Sequence, residues 1–134
     1  MDNIRNGRFK TGMTDEAAIY TSSLEADKII FEADIKTNFA HTSMLKHEGI
    51  IDEEIADKIL CALDNLKEEG FEALVFDASI EDVHMAIENY VTSKLGPEAG
   101  FMHTAKSRND QVACDVRLVL REMIEEIQIG ILEF

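Results

Sequence analysis

The stretch from residue 103 to 121 constrains this chain most, because it changes from polar to amphipathic at its midpoint. Up to Asn109 the stretch is polar and rich in hydrogen-bond donors. Beyond it, apolar residues recur at intervals of three and four, namely Val112, Val116, Val119, Leu120, Met123 and Ile127. This spacing predicts an amphipathic α-helix, so the polar half should lie at the N-terminus of that helix.

A helix N-terminus favours an anion, because its first backbone N–H groups have no partner within the helix and the helix dipole is positive there. Ser107, Arg108 and Asn109 add a hydroxyl, a guanidinium and an amide at this end. Arginine can hold a carboxylate through two parallel hydrogen bonds. The pattern favours a site for a small molecule that carries a carboxylate. The alternative is that Ser107 or Asn109 only caps the helix and that Arg108 is a solvated surface charge.

Composition narrows the class of protein. The 134 residues suffice for one modest domain with a core, and the net charge of −14 disfavours nonspecific binding to nucleic acid or to anionic membranes. The sequence contains neither an apolar run long enough to span a bilayer nor a secretory signal at its start, so we expect a soluble, cytoplasmic protein. Cys61 and Cys114 lie in apolar helical patterns without a C-x-x-C spacing, which predicts two buried free thiols.

The expected fold class is all-α. After a basic, irregular arm over residues 1–13, the sequence predicts helices at 15–22, about 25–46, 53–69 and 80–95, and a long helix that starts at Ser107. Asp52 and Ser79 are the expected caps of the third and fourth helices, and Gly96-Pro97 should end the fourth. The apolar residues assigned to the inner surface of the second helix are Ile30, Ala33, Phe39, Ala40 and Met44.

Residues 103–118, H-T-A-K-S-R-N-D-Q-V-A-C-D-V-R-L, resemble the first signature region of argininosuccinate lyase, a family of the aspartase/fumarase superfamily. The usual form is H-T-[GA]-R-S-R-N-D-Q-V-x-T-D-x-R-L. Lys106 stands where arginine is usual, which keeps the charge but loses the planar fork, and Cys114 stands where threonine is usual. Gly7-Arg8-Phe9 and Glu81-Asp82-Val83-His84 match two further family segments, G-R-F and E-D-[IV]-H.

The resemblance runs from Gly7 to at least Arg121 and implies more than a fold. It implies a small helical domain over residues 1–106, and over 107–134 the start of a long helix bundle that associates into a homotetramer. The implied enzyme is a carbon–nitrogen lyase of arginine biosynthesis. Its reaction is the β-elimination of argininosuccinate to arginine and fumarate, without a metal or an organic cofactor. The family's proteins are longer, and residues 124–134 are strongly apolar, so the chain is expected to be an N-terminal portion.

Carried over residue by residue, the resemblance implies a set of substrate-binding side chains: Ser23, Asp82, Ser107, Arg108 and Asn109. It also suggests three residues that orient the site: Asp27, His103 and Thr104. The family's proton-transfer histidine and serine are expected beyond Phe134, so no catalytic residue is assigned here. From the residues alone, Ser23 and Asp27 would be a helix junction with an N-cap. The alternative function is a truncated, non-catalytic helical module that binds a partner or serves as a scaffold.

A metal site is the remaining hypothesis. Glu81 and His84 form a Glu-x-x-His pair of the kind that holds di-iron centres in helix bundles. Such centres need a second pair and two more glutamates, and the sequence contains no second pair, so no metal is predicted. His41 and His47 lie six residues apart, which separates them on a helix and makes them a poor ligand pair.

Overall fold

The computed structural model describes residues 14–76 and 80–134, and within these ranges the chain is all-α, as predicted. The helices are α1 (Asp15–Thr21), α2 (Leu24–Asp27), α3 (Phe31–His47), α4 (Glu53–Glu69), α5 (Val83–Leu95) and α6 (Arg108–Glu133). No strand occurs in the described ranges. The predicted arm with Gly7-Arg8-Phe9, and the predicted cap Ser79, lie outside them.

Helix α4 forms as its local sequence predicts. The side chain of Asp52 accepts hydrogen bonds from the backbone N–H groups of Glu54 and Ile55, which fixes the start of the helix. At the other end Gly70 has a φ of 79°, a conformation that favours glycine. The apolar stripe of α4 meets α5 in the main core, whose fully buried members from these two helices are Ile59, Leu63, Leu66, Val83, Ile87 and Val91.

The prediction of one continuous helix from about 25 to 46 is wrong. The chain forms the short α2, then a 3₁₀ turn over Lys28–Ile30, and only then α3. The backbone N–H of Phe31 bonds the carbonyl of Lys28, a tighter turn than an α-helix makes. The break turns the chain so that Ile30 and Phe31 both enter the core.

Two of the five residues predicted on the inner surface of this helix are buried, and three are not. Ile30 and Ala33 are buried, but Phe39, Ala40 and Met44 are exposed. The buried face instead carries three polar side chains, Asp34, Asn38 and Thr42, together with apolar neighbours. The apolar spacing therefore predicted the wrong face of α3. Polar side chains can be buried on a helix when they find hydrogen-bond partners on another helix.

Helix α5 starts three residues later than predicted. Its N-cap is Asp82, whose Oδ1 accepts a 2.6 Å hydrogen bond from the backbone N–H of Met85. Asp82 is therefore not the third helical position of a capping box begun by Ser79. The helix ends at Leu95 as expected, with Gly96 at a φ of 69° and Pro97 entering a 3₁₀ segment that runs from Gly96 to His103.

Helix α6 packs on α3 over its N-terminal half, as far as the ion pair between Lys36 and Glu122, and residues 123–133 are exposed. Val116, Leu120, Met123 and Ile127, predicted on its apolar face, are exposed. Cys61 on α4 and Cys114 on α6 are free thiols but are exposed, so the prediction that they are buried is wrong. Within the described ranges, no helix combines the length and apolar content that crossing a bilayer requires.

Candidate functional site

The start of α6 is a capped helix N-terminus. The Ser107 Oγ accepts a 3.2 Å hydrogen bond from the backbone N–H of Asn109, and the Asp110 carboxylate accepts one of 3.3 Å from the backbone N–H of Ser107. These reciprocal bonds form a capping box, which satisfies two backbone donors at once. The prediction that Ser107 caps the helix is therefore confirmed. A hydroxyl that accepts a bond can still donate one, so capping does not remove Ser107 from a ligand site.

Arg108 is not a free surface charge. Its Nη1 donates a 3.1 Å hydrogen bond to Glu88 Oε1 on α5 and a 3.4 Å bond to Gln111 Oε1 one turn along α6. Its Nε lies 3.6 Å from Asp82 Oδ2. The side chain is about one-third exposed, so the guanidinium is anchored on one side and reachable from solvent on the other.

Ser23 and Asp27 form a second group, at the start of α5. Ser23 Oγ donates a 2.5 Å hydrogen bond to Asp27 Oδ2, and the same carboxylate oxygen accepts a 3.3 Å bond from the backbone N–H of Val83. The backbone N–H of Ser23 also donates to the carbonyl of Glu81 at 2.8 Å. Asp27 is thus the acidic partner predicted for Ser23. Because the pair binds Glu81 and Val83, it lies beside Asp82.

The remaining predicted residues differ in whether their side chains join the cluster around Arg108. His103 Nδ1 lies 3.3 Å from Glu88 Oε1, which brings this ring into the cluster around Arg108. The backbone carbonyl of Thr104 lies 2.9 Å from Nε2 of His41, so the structure involves Thr104 through its backbone. Asn109 is exposed in the first turn of α6, and its side chain makes no hydrogen bond to a described residue. The structure therefore groups Asp82, Arg108 and His103, with Ser107 and Asn109 at the adjoining helix end.

Lys106 points away from this exposed cluster. Its ammonium donates to the side-chain oxygen of Asn38 on the buried face of α3. Burial lowers the pKa of Lys106 below its ordinary value, although the negative charges of Asp34 and Glu88 oppose that change. The lysine that replaces the usual arginine therefore anchors the loop before α6 to α3, where a planar fork is not required.

Below the exposed cluster lies a buried polar network that joins α3, α5 and α6. Gln111 donates to Asp34 Oδ1, Asn38 donates to the same oxygen at 3.1 Å, and Thr37 donates a 2.5 Å bond to Asp115 Oδ1. His84 Nδ1 lies 3.1 Å from Asp34 Oδ2 and 3.8 Å from Asp115 Oδ2. Asp34, His84 and Asp115 are almost completely removed from solvent.

The charges of this network are strongly interdependent. Burial lowers the pKa of His84, but the neighbouring Asp34 carboxylate, and more distantly Asp82, outweigh burial and leave the pKa above its ordinary value. Burial raises the pKa of Asp115 to about 6, aided by the negative charge of Asp34. Both shifts therefore favour the protonated forms of His84 and Asp115.

Asp34, His84 and Asp115 are also the described residues best placed to hold a metal ion. Each offers one ligand atom, and the three atoms lie within 4.8 Å of one another. The Lys106 ammonium lies close enough to Asp34 and Asp115 to interact with both carboxylates, and its positive charge would oppose a dication there. The Glu81–His84 pair considered in the sequence is not a shared site: His84 is buried, whereas Glu81 Oε1 accepts a hydrogen bond from Thr21.

Sequence reasoning missed Glu88 and the buried set of Asp34, Asn38, Gln111 and Asp115. Glu88 lies six residues after Asp82 on the same helix, a spacing that gives no local signal of a shared partner. Asp34 and Asn38 lie four residues apart, so they share one face of α3 and could have been recognised as a pair. Their partners come from residues more than forty positions away, which no periodicity reveals.

Comparison with known proteins agrees with the resemblance seen in the sequence. The profile of a lyase family matches residues 7–133. The argininosuccinate lyase of Methanothermobacter thermautotrophicus is 64% identical over 132 residues, which cover 98% of this chain and 28% of that protein. The argininosuccinate lyase of Methanosphaera stadtmanae is 62% identical over 122 residues, covering 91% and 26%. That of Methanocaldococcus jannaschii is 46% identical over 125 residues, covering 92% and 26%.

The chain spans about 28% of the length of the curated relatives that it matches. Within that span the family match includes both clusters described above, from Ser23 and Asp27 to Arg108. The chain therefore belongs to this lyase family.

Proposed function

We propose that this chain contributes the first part of an argininosuccinate lyase, an enzyme that eliminates fumarate from argininosuccinate and releases arginine. The observation that carries the proposal is the 64% identity, over 98% of the chain, to a relative with that name. The 132 matched residues contain both clusters described above. The convergence of Asp82, Arg108 and His103 beside the α6 N-terminus adds physical support.

In this proposal the α6 N-terminus binds the succinyl half of the substrate. Arg108 would pair with a carboxylate, and Ser107 and Asn109 would add neutral donors beside the positive end of the helix dipole. Negative charge grows on that carboxylate when the neighbouring carbon loses its proton, so donors fixed in place would stabilise the transition state more than the ground state. Asp82 and the Ser23–Asp27 pair would face the cationic guanidinium half.

The proton-transfer groups are not assigned to residues of this chain. His103 would orient the substrate, since its ring lies 3.3 Å from Glu88 in the cluster around Arg108. We propose further that residues 1–106 form a helical first domain and that 107–134 begin a bundle helix. The exposed apolar face of α6 supports this division and an oligomeric enzyme, in which the rest of the site comes from other parts of the protein.

The test uses the complete gene product. We expect it to form fumarate from argininosuccinate, followed by ultraviolet absorbance, and to leave adenylosuccinate unchanged. Arg108→Lys should lower kcat/KM at least about tenfold, roughly 1.4 kcal/mol, because lysine keeps the charge but cannot hold one nitrogen on Glu88 while a second nitrogen faces the substrate. Exchange of the exposed, distant Arg121 for lysine is the matched control. No fumarate from the parent protein would favour the alternative, a non-catalytic helical module.

A further inference from the structure

Glu88 is the residue at which the cluster around Arg108 converges. Its Oε1 accepts the 3.1 Å hydrogen bond from Arg108 Nη1 and lies 3.3 Å from His103 Nδ1. One carboxylate oxygen on α5 thus joins the end of the 3₁₀ segment to the first turn of α6. The Glu88 side chain is mostly buried, so water competes weakly for these contacts.

Asp82 contacts the same guanidinium but is poorly placed to fix it. One oxygen of Asp82 is occupied by the 2.6 Å bond that caps α5, and the other lies 3.6 Å from Arg108 Nε, beyond a good hydrogen bond. Glu88 makes a charge-assisted hydrogen bond, which is about twice as strong as a neutral one. The stronger hold on Arg108 therefore comes from Glu88.

The bonds to Arg108 are confined to one side of the guanidinium. Nη1 bonds Glu88 and Gln111, and Nη2 makes no hydrogen bond to any residue in the described ranges. An arginine side chain loses considerable rotamer freedom when a ligand immobilises it, and this loss weakens binding. A carboxylate that already holds one side removes much of this cost while leaving two donors on Nη2 for a ligand.

We infer that Glu88 is a positioning residue, which holds the Arg108 guanidinium with Nη2 directed to a carboxylate of the substrate. The inference rests on the proposed function for the identity of that substrate. It assigns the main orienting role to Glu88, and leaves Asp82 as the cap of α5 and a weaker partner of Arg108. Loss of Glu88 removes a negative charge near an anion site but also frees Arg108, and we expect the loss of orientation to weaken catalysis.

Steady-state kinetics of Glu88→Ala in the complete gene product test whether Glu88 positions Arg108. We expect kcat/KM for argininosuccinate to fall on the order of tenfold, with a lower kcat as well as a higher KM, because the Arg108 donors are proposed to act more strongly in the transition state than in the ground state. Glu88→Gln keeps an acceptor oxygen and should recover part of the loss. Glu69→Ala is the matched control, since Glu69 also accepts a hydrogen bond across the α4–α5 contact, from Tyr90 at 3.0 Å, far from Arg108.

A double-mutant cycle shows whether Glu88 acts through Arg108. In the Arg108→Lys background, Glu88→Ala should change kcat/KM less than about twofold. Equal effects in both backgrounds would overturn the inference, as would a fall in KM or a response no larger than that of Glu69→Ala. A thermal melt of each variant separates these results from a general loss of folding.

A crystal structure of Glu88→Ala decides the inference without any activity measurement. The Arg108 guanidinium should leave its position beside α5 or lose its ordered density, while Asp82 still caps α5. If Arg108 stays in place, the inference is wrong even for an active lyase. If the parent protein makes no fumarate but Arg108 moves, the proposed function fails and the positioning role of Glu88 stands.

Discussion

His84 Nδ1 lies 3.1 Å from Asp34 Oδ2, and both side chains are almost entirely buried. A buried imidazole beside a carboxylate keeps its proton to higher pH than in water, provided that the attraction exceeds the cost of burial. Here burial lowers the pKa of His84, but Asp34 more than compensates. The stability that His84 contributes is therefore fully present below its ordinary pKa of 6.5 and is lost as the pH rises through the raised value in the folded protein.

The contribution of Asp115 to stability also decreases as the pH rises. Its pKa rises from 3.8 to about 6 on folding, chiefly through burial, so the fold favours the neutral carboxyl. Its contribution is greatest below pH 3.8 and declines as the pH rises through about 6. We predict that Asp115→Asn, which fixes the neutral form and still accepts from Thr37, raises the free energy of unfolding at pH 8 by roughly 1–3 kcal/mol.

Urea unfolding of the parent and of Asp115→Asn at several pH values measures this prediction. The difference between the two proteins should shrink toward zero near pH 4, where the parent carboxyl is also neutral. Asp64→Asn on the exposed surface of α4 is the control and should show no such trend. A variant that is less stable than the parent at pH 8 would mean that the charged form of Asp115 is the favoured one.

Asp82→Asn separates the two roles of Asp82 in the complete gene product. Asparagine is as good an N-cap as aspartate, so the melting temperature should stay within a few degrees of the parent. The charge opposite Arg108 is lost, so kcat/KM should fall. Asp82→Ala should in addition lose on the order of 1 kcal/mol of stability, as should Asp52→Ala at the cap of α4 without an effect on kinetics. Stability loss with full activity in Asp82→Asn would limit Asp82 to capping.

Ala105 has a φ of 55°, the one left-handed non-glycine residue in the described ranges. This conformation costs an L-residue roughly 1–2 kcal/mol, whereas glycine adopts it freely at the expense of a more flexible unfolded chain. We predict that Ala105→Gly leaves the stability unchanged or raises it by up to about 1 kcal/mol. Ala40→Gly on the exposed face of α3 should lower it by about 1 kcal/mol. Equal losses in thermal melts of the two variants would contradict a strained loop.

The apolar face of α6 should make the 134-residue chain associate when it is expressed alone. Ile124, Ile127 and Ile131 are 52%, 62% and 69% exposed and lie on one side of the helix, because they are three and four residues apart. Sedimentation should show oligomers or aggregates, without fumarate production. Ile127→Glu should weaken association, whereas Ile19→Glu on α1, where Ile19 is 77% exposed but isolated from that surface, should not. A monodisperse parent monomer would refute the prediction.

The sequence by itself determined those features that depend on near neighbours in the chain. Asp52 caps α4 and Gly70 ends it because capping bonds and a positive φ involve residues within four positions. The all-α class follows from helical periodicity, and the motif around Arg108 led to the correct family. The pairing of Ser23 with Asp27 was also within reach, since the residues lie one helical turn apart.

Only the tertiary structure decided which polar groups are buried and which charges meet. Apolar spacing placed Phe39 and Met44 inside, yet α3 buries Asp34 and Asn38. Their partners are His84 on α5, Gln111 on α6 and Lys106 in the loop before α6. Glu88 meets Arg108 because the core brings α5 against the start of α6, a distance of twenty residues along the chain. Buried polar side chains are stable only when all of their hydrogen-bond partners are in place. Partners that are distant in the sequence produce no periodic pattern from which they could be predicted.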